Sequence, residues 1–95
     1  MDMSDLKKVR EAIKPNTKMI WVETPTNPTL KCTDIAGISK ICKEIGGILL
    51  VVDNTFMSPV LQNPISLGAD IVTHSMTKYI GGHTDLVAGC LMLND

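Results

Sequence analysis

Five side chains in this sequence form a set with the makings of a cofactor site: Asn27, Asp53, Ser75, Thr77 and Lys78. A lysine amine can condense with an aldehyde, and a carboxylate beside a pyridine nitrogen keeps that nitrogen protonated by favouring its charged form. Short hydroxyls beside the lysine can grip a phosphate, and an amide can donate to a phenolate oxygen. Pyridoxal 5'-phosphate (PLP) makes all of these demands, and its cationic ring accepts the electrons released when a substrate Cα proton leaves. Taken singly, each residue has a plainer reading. Asp53 suits a turn or cap, Ser75 and Thr77 suit any loop, and His83 beside Gly81-Gly82 suits a surface or hinge position.

The elements that must position this set follow from pattern. Ser4 can cap a helix in which Leu6, Val9 and Ile13 recur at helical spacing, with Pro15 and Asn16 ending it. Met19 to Glu23 is short, apolar and rich in strand formers. The two prolines of Thr24-Pro25-Thr26-Asn27-Pro28-Thr29 forbid helix and central strand, which leaves a rigid loop. Asp34 opens a second helix with Ile35, Ile38, Ile41, Cys42 and Ile45 on one face and Ser39, Lys40, Lys43 and Glu44 towards the other, and Gly46-Gly47 stops it. Ile48 to Val52 is aliphatic without alternation, the pattern of a strand covered on both faces in a parallel sheet, and Asp53 sits at its carboxyl end.

A turn-rich stretch with Pro59 and Pro64 follows, then a third strand over Asp70 to His74, a polar loop from Ser75 to Asp85, and a fourth strand over Leu86 to Leu93. This alternation predicts an α/β open sheet built as one domain piece. In such sheets ligands bind in the crevice outside the carboxyl ends of the strands. Asn27 follows the first strand, Asp53 ends the second, and Ser75, Thr77 and Lys78 follow the third, so topology alone would bring them to one crevice.

Composition narrows the alternatives. With 44% hydrophobic and 20% charged residues, and no apolar run approaching the ~20 residues of a membrane span, the chain reads as a globular protein without a membrane role. The opening MDMSDLKKVREAI has no apolar core before a small-residue cleavage site, which predicts a cytoplasmic protein. A net charge of −1 and 3% aromatics supply neither a basic footprint nor a stacking platform for nucleic acid, and Lys7, Lys8 and Arg10 read as a solvated helix face. Cys32, Cys42 and Cys90 form no CxxC pair, so they read as buried, reduced thiols and no metal site is expected. A dinucleotide-binding reading fails because no GxGxxG follows a strand.

Three blocks carry a family resemblance. The run from Asp70 through Thr73-His74-Ser75-Met76-Thr77-Lys78-Tyr79 to Gly81-Gly82-His83 closely resembles the PLP-lysine signature of the Cys/Met-metabolism PLP-dependent enzymes, the trans-sulfuration family. Glu23-Thr24-Pro25-Thr26-Asn27-Pro28-Thr29 and Val51-Val52-Asp53-Asn54-Thr55-Phe56-Met57-Ser58-Pro59 resemble two further blocks in the same order and spacing. The resemblance implies that Lys78 is the catalytic lysine that binds PLP, that Asp53 partners the pyridine nitrogen, and that Ser75 and Thr77 bind phosphate. It makes Asn27 the ring-oxygen contact and puts Thr55 beside the ring. Met76, where the family has a small residue, and Thr84, where serine is commoner, depart from the pattern.

The fold so implied is the large domain of the PLP-dependent transferases, aspartate aminotransferase-like, with a mostly parallel sheet and helices on both faces. Residues 1–95 would be its central part, with an N-terminal part and a C-terminal small domain elsewhere. The family's glycine-containing phosphate turn, ring-stacking tyrosine and carboxylate-binding arginine have no counterpart here, so these 95 residues alone are expected to be inactive. The implied activity of the full-length enzyme is carbon–sulfur cleavage of cystathionine to cysteine, 2-oxobutanoate and ammonia by a cytoplasmic homotetramer. The γ-synthase, β-lyase and methionine γ-lyase members share the same blocks and stand as alternatives. From another class, a non-catalytic fragment that seeks partners through unpaired sheet edges stands as the rival.

Overall fold

The computed structural model describes residues 2–93. Helix α1 spans Leu6–Ala12, and its cap is Asp5, whose carboxylate accepts from the Lys7 and Lys8 amides. Ser4 lies one residue too early to reach those amides and instead bonds to the Asp2 carboxylate. Helix α2 spans Ile35–Ile45 between an Asp34 cap, which accepts from Gly37 N–H, and Gly46 at φ 81°. Two α2 residues exchange the expected faces: Ile45 is exposed, while Ser39 is buried and donates to the Gly68 carbonyl at 2.9 Å. Ser39 lies one turn beyond Ile35 on the inner stripe, and its hydroxyl is short enough to be satisfied there. Gly68 must be glycine, since its φ is 96° and a Cβ would lie 2.3 Å from Ser39 Oγ.

Four strands form one sheet in the order β1 (Met19–Glu23), β2 (Leu49–Asp53), β3 (Ile71–Ser75), β4 (Gly89–Leu93). The first three are mutually parallel and β4 runs antiparallel to β3. Strands β2 and β3 each start one residue later than the pattern predicts, and β4 starts at Gly89. Asp70 stays outside β3 because its carboxylate accepts from the Leu50 amide at 2.7 Å. Between β2 and β3 the chain makes a single turn of helix, α3 (Ser58–Leu61), which buries none of its residues.

One face of the sheet holds the core. Ile20, Val22, Leu50, Val52 and Val72 pack there with Val9 of α1 and Ile35, Ile38 and Cys42 of α2. An exposed ion pair between Arg10 and Glu44 joins the two helices at their outer side. The opposite face carries exposed Met19, Trp21, Leu49, Leu91 and Leu93, so among the described residues the helical cover lies on one face. Val51 is nonetheless buried on that second face, between its register partners Trp21 and Ile71. Cys42 is buried, Cys90 is half-buried, and Cys32 is exposed in the loop before α2, where no element covers it. Among the described residues no helix is long and apolar enough to cross a membrane.

Leu50 is fully buried at the centre of this core, whereas Val60 is 88% exposed. In urea unfolding of the full-length protein, Leu50→Ala is expected to lose about 2–5 kcal/mol. Val60→Ala should stay within about 0.5 kcal/mol of wild type. Equal effects would place the core elsewhere.

Candidate active site

Because β1, β2 and β3 are parallel, their carboxyl ends lie at one edge of the sheet. Glu23, Asp53 and Thr73 stand in register there, all on the face away from α1 and α2, and Ser75 follows two residues on. An open cleft of about 530 Å³ lies beside this edge, lined by Trp21, Thr73, His74, Ser75, Gly89, Cys90 and Leu91, so that of the residues singled out in the sequence it takes in Ser75 but not Asn27, Asp53, Thr55, Thr77 or Lys78.

The tightest polar cluster of this edge involves Asp53, Thr55 and Ser75. Asp53 Oδ1 accepts from the Thr55 amide at 3.0 Å and from Thr55 Oγ1 at 2.6 Å. Thr55 Oγ1 in turn accepts from the Ser75 amide at 2.9 Å. The end of β2 is thereby joined to the end of β3 through side chains, just past the last strand pair, Asp53 with Thr73.

Lys78 follows on a compact turn. Its amide donates to the Ser75 carbonyl at 3.2 Å, the Gly81 amide to Met76 O at 2.7 Å, and the Gly82 amide to Lys78 O at 2.9 Å. Gly81 is required by this turn, since a Cβ there would lie 2.6 Å from Met76 O. The Lys78 side chain is exposed. Thr77 is turned elsewhere. Its hydroxyl accepts from the Ala88 amide at 3.0 Å and donates to the Ala88 carbonyl at 3.3 Å, closing the loop that leads into β4. His83 bonds through Nδ1 with the Gly81 carbonyl and stays exposed, as its plainer reading has it.

Asn27 reaches this edge indirectly. Its backbone N–H donates to Glu23 Oε1 at 3.1 Å, and Glu23 is the register neighbour of Asp53. The surrounding loop is fixed by buried Thr24, whose hydroxyl accepts from the Thr33 amide and whose carbonyl accepts from Gln62 Nε2. Asp53, Thr55 and Ser75 are thus directly linked, Lys78 is tied to Ser75 through backbone, Asn27 is held by Glu23, and Thr77 faces Ala88.

Three residues at this edge lie within the family-like blocks but are given no role of their own by the sequence pattern. Glu23 anchors the Asn27 loop. Asn54, fully buried, donates to the carbonyls of Ser58 and Gln62 and accepts from Gln62 Nε2, which seats the turn after β2. The signal available was an amide directly after a strand-end carboxylate, where the turn leaves carbonyls to be satisfied. His74, 3% exposed, lies between Thr73 and Ser75, so strand alternation sends it to the core face. Both its ring nitrogens are buried without a partner among the described residues. Burial pushes its pKa below the ordinary imidazole value, and the Asp53 carboxylate pulls the other way without reversing it.

All 95 residues match the family described as Cys/Met metabolism PLP-dependent enzyme. The chain is 58% identical to a probable cystathionine gamma-synthase of Herpetosiphon aurantiacus over 95 residues, all of this chain and 30% of the relative. It is 52% identical to a cystathionine beta-lyase of Coxiella burnetii, again over its whole length and 24% of the relative. The crystal structure of cystathionine gamma-lyase from Lactobacillus plantarum, complexed with L-serine, superposes with a TM-score of 0.97 at 47% identity, covering all of this chain and 25% of that one. The chain therefore spans between 24% and 30% of the length of these relatives.

The state of His74 sets a pH dependence. Its folded pKa lies below the ordinary value of 6.5, so between the two values the unfolded chain binds a proton that the folded chain refuses. Stability of the full-length protein should fall as pH drops through about 6.5 and level off once the folded pKa is passed. Urea midpoints across pH 5 to 8 should show this slope in wild type and a shallower one in His74→Gln; identical slopes would acquit His74.

Proposed function

Since the chain belongs to the Cys/Met metabolism PLP-dependent enzyme family, we propose that the full-length protein is a carbon–sulfur lyase of trans-sulfuration that cleaves cystathionine to cysteine, 2-oxobutanoate and ammonia. The observation that carries this reading is the chain of hydrogen bonds from Asp53 through Thr55 to Ser75, three residues before Lys78, at the carboxyl edge of parallel strands. Family membership makes PLP the cofactor, and the donor set fits it. Thr55 occupies only Oδ1 of Asp53, which leaves Oδ2 to accept from a ring N–H.

When bound, PLP supplies the electron sink that stabilises negative charge at the substrate Cα. Lys78 would hold the aldehyde through its amine and would be placed to act as the base that moves protons between Cα and Cβ. Its exposure on a turn with a fixed backbone suits a group that must be held and then released. Asp53 would keep the ring cationic, Asn27 would donate its amide to the ring oxygen, and Thr55 would lie beside the ring. Ser75 and Thr77 would donate to the phosphate. For Thr77 this means giving up the 3.3 Å donation to Ala88 O while keeping the bond accepted from Ala88 N–H. In this reading residues 1–95 form the central part of the large domain of a cytoplasmic homotetramer.

The similarity to a gamma-synthase at 58% identity favours a second reading, in which the same site joins cysteine to an activated homoserine instead of cleaving cystathionine. Product analysis separates the activities. 2-Oxobutanoate from cystathionine marks γ-cleavage, pyruvate marks β-cleavage, and cystathionine formed from an acylated homoserine and cysteine marks the synthase.

Two measurements on the full-length protein test the assignments. Borohydride reduction with PLP followed by peptide mapping should find the pyridoxyl group on Lys78, and a label confined to another lysine would sink that role. Asp53→Ala should lower turnover by about 3 kcal/mol, roughly a hundredfold, by loss of charge stabilisation, while much of the PLP binding survives. Turnover close to wild type would reduce Asp53 to a structural residue.

A further inference from the structure

We infer that Thr55 is a positioning residue that locks Asp53 to the lysine-bearing turn, donating to Asp53 Oδ1 at 2.6 Å while accepting from the Ser75 amide at 2.9 Å. The inference rests on the functional reading above and changes the role of Thr55 within it, from a neighbour of the ring to a clamp acting through two other residues.

The direction of each bond is fixed by chemistry. A backbone N–H can only donate, so the hydroxyl must accept from Ser75, and its single proton is then directed at the carboxylate. That proton is the only one the hydroxyl has, and it is spent on Asp53. The remaining polar capacity of Thr55 is one lone pair, which gives it nothing to donate to a cofactor.

Pairing of β2 with β3 ends at Asp53 and Thr73, with the Asn54 amide making the last backbone bond, to Thr73 O at 2.9 Å. Past this point Ser75 N–H has no strand carbonyl of β2 to reach. The Thr55 hydroxyl takes the place of that carbonyl and carries the connection one step further. Hydrogen bonds in such a chain polarise one another, so donation from Ser75 strengthens donation to Asp53. The carboxylate is held by Oδ1 with Oδ2 turned free of Thr55, and the Ser75 carbonyl accepts from the Lys78 amide at 3.2 Å. Movement of Asp53 and movement of the lysine turn are thus coupled through one hydroxyl.

The test uses the full-length protein with Thr55→Val, which keeps the shape and loses both bonds, and Thr55→Ser, which keeps the hydroxyl. In the cofactor-free state, amide exchange at Ser75 should speed up by about fivefold in the valine variant, the loss of one ordinary hydrogen bond, and stay near wild type in the serine variant. With PLP, kcat should fall about tenfold or more in the valine variant with KM little changed, since misplaced catalytic groups lose rate before affinity. Serine should restore it. Because Thr55 acts through Asp53, adding Thr55→Val to Asp53→Ala should cost kcat little beyond Asp53→Ala alone. Unchanged Ser75 exchange, or full additivity in the double variant, overturns the clamp while PLP uptake by wild type leaves the functional reading standing. Wild type that takes up no PLP overturns that reading and the clamp's role with it.

Discussion

Parallel pairing of β1, β2 and β3 in register is the constraint on which the site depends, because it obliges three carboxyl ends to share an edge. The pairing is held by burial of β2 between its neighbours. Leu50 and Val52 fill the core under α2, and Val51 is buried on the other face by Trp21 and Ile71 although much of that face is exposed. A one-residue slip of β2 would send Asp53 to the core face and Val52 towards the cleft. The Asp70 carboxylate on the Leu50 amide opposes such a slip at the amino end, and the Thr55 hydroxyl on the Ser75 amide opposes it at the carboxyl end.

Register also places two carboxylates side by side. Glu23 and Asp53 are direct partners on strands about 4.8 Å apart, an arrangement that repulsion disfavours. Each is supplied with donors: the Asn27 backbone N–H for Glu23, and the backbone N–H and hydroxyl of Thr55 for Asp53. The edge therefore carries two adjacent carboxylates whose orientation is set by bonds within the chain itself. The donors come from the chain immediately after each strand, which explains why the site is encoded as short blocks and not as scattered residues.

Most of this architecture was legible because its signals are local. Asp34 and Gly46 bound α2 as their chemistry requires, Met19–Glu23 is a strand, and Asp53 ends β2. What was not legible depends on partners distant in sequence. Ser39 and Ile45 changed places because Gly68, far along the chain, offers a carbonyl to a buried hydroxyl. Ser4 lost the cap to Asp5 by one residue, a margin that pattern cannot resolve. Cys32, read with the other two as a buried thiol, is exposed in the loop before α2. Asp53 and Ser75 could be read as members of one set and Thr55 entered through the family resemblance, whereas the bonds among the three, and the turning of Thr77 towards Ala88, depend on the fold.

His74 shows how the same edge faces two ways. Strand alternation turns Thr73 and Ser75 to one face of the sheet and His74, which is buried, to the other, so one short strand carries polar side chains on both faces. An imidazole there is tolerable only while neutral, since a buried cation without a partner costs several kcal/mol. The nearby Asp53 carboxylate favours the charged form and burial opposes it more strongly. Any change that neutralises Asp53 should then depress the His74 pKa further, whereas loss of the Thr55 clamp, which leaves the Asp53 charge in place, should alter it less. Titration of the His74 ring thus offers a reporter of Asp53 from the far side of the sheet.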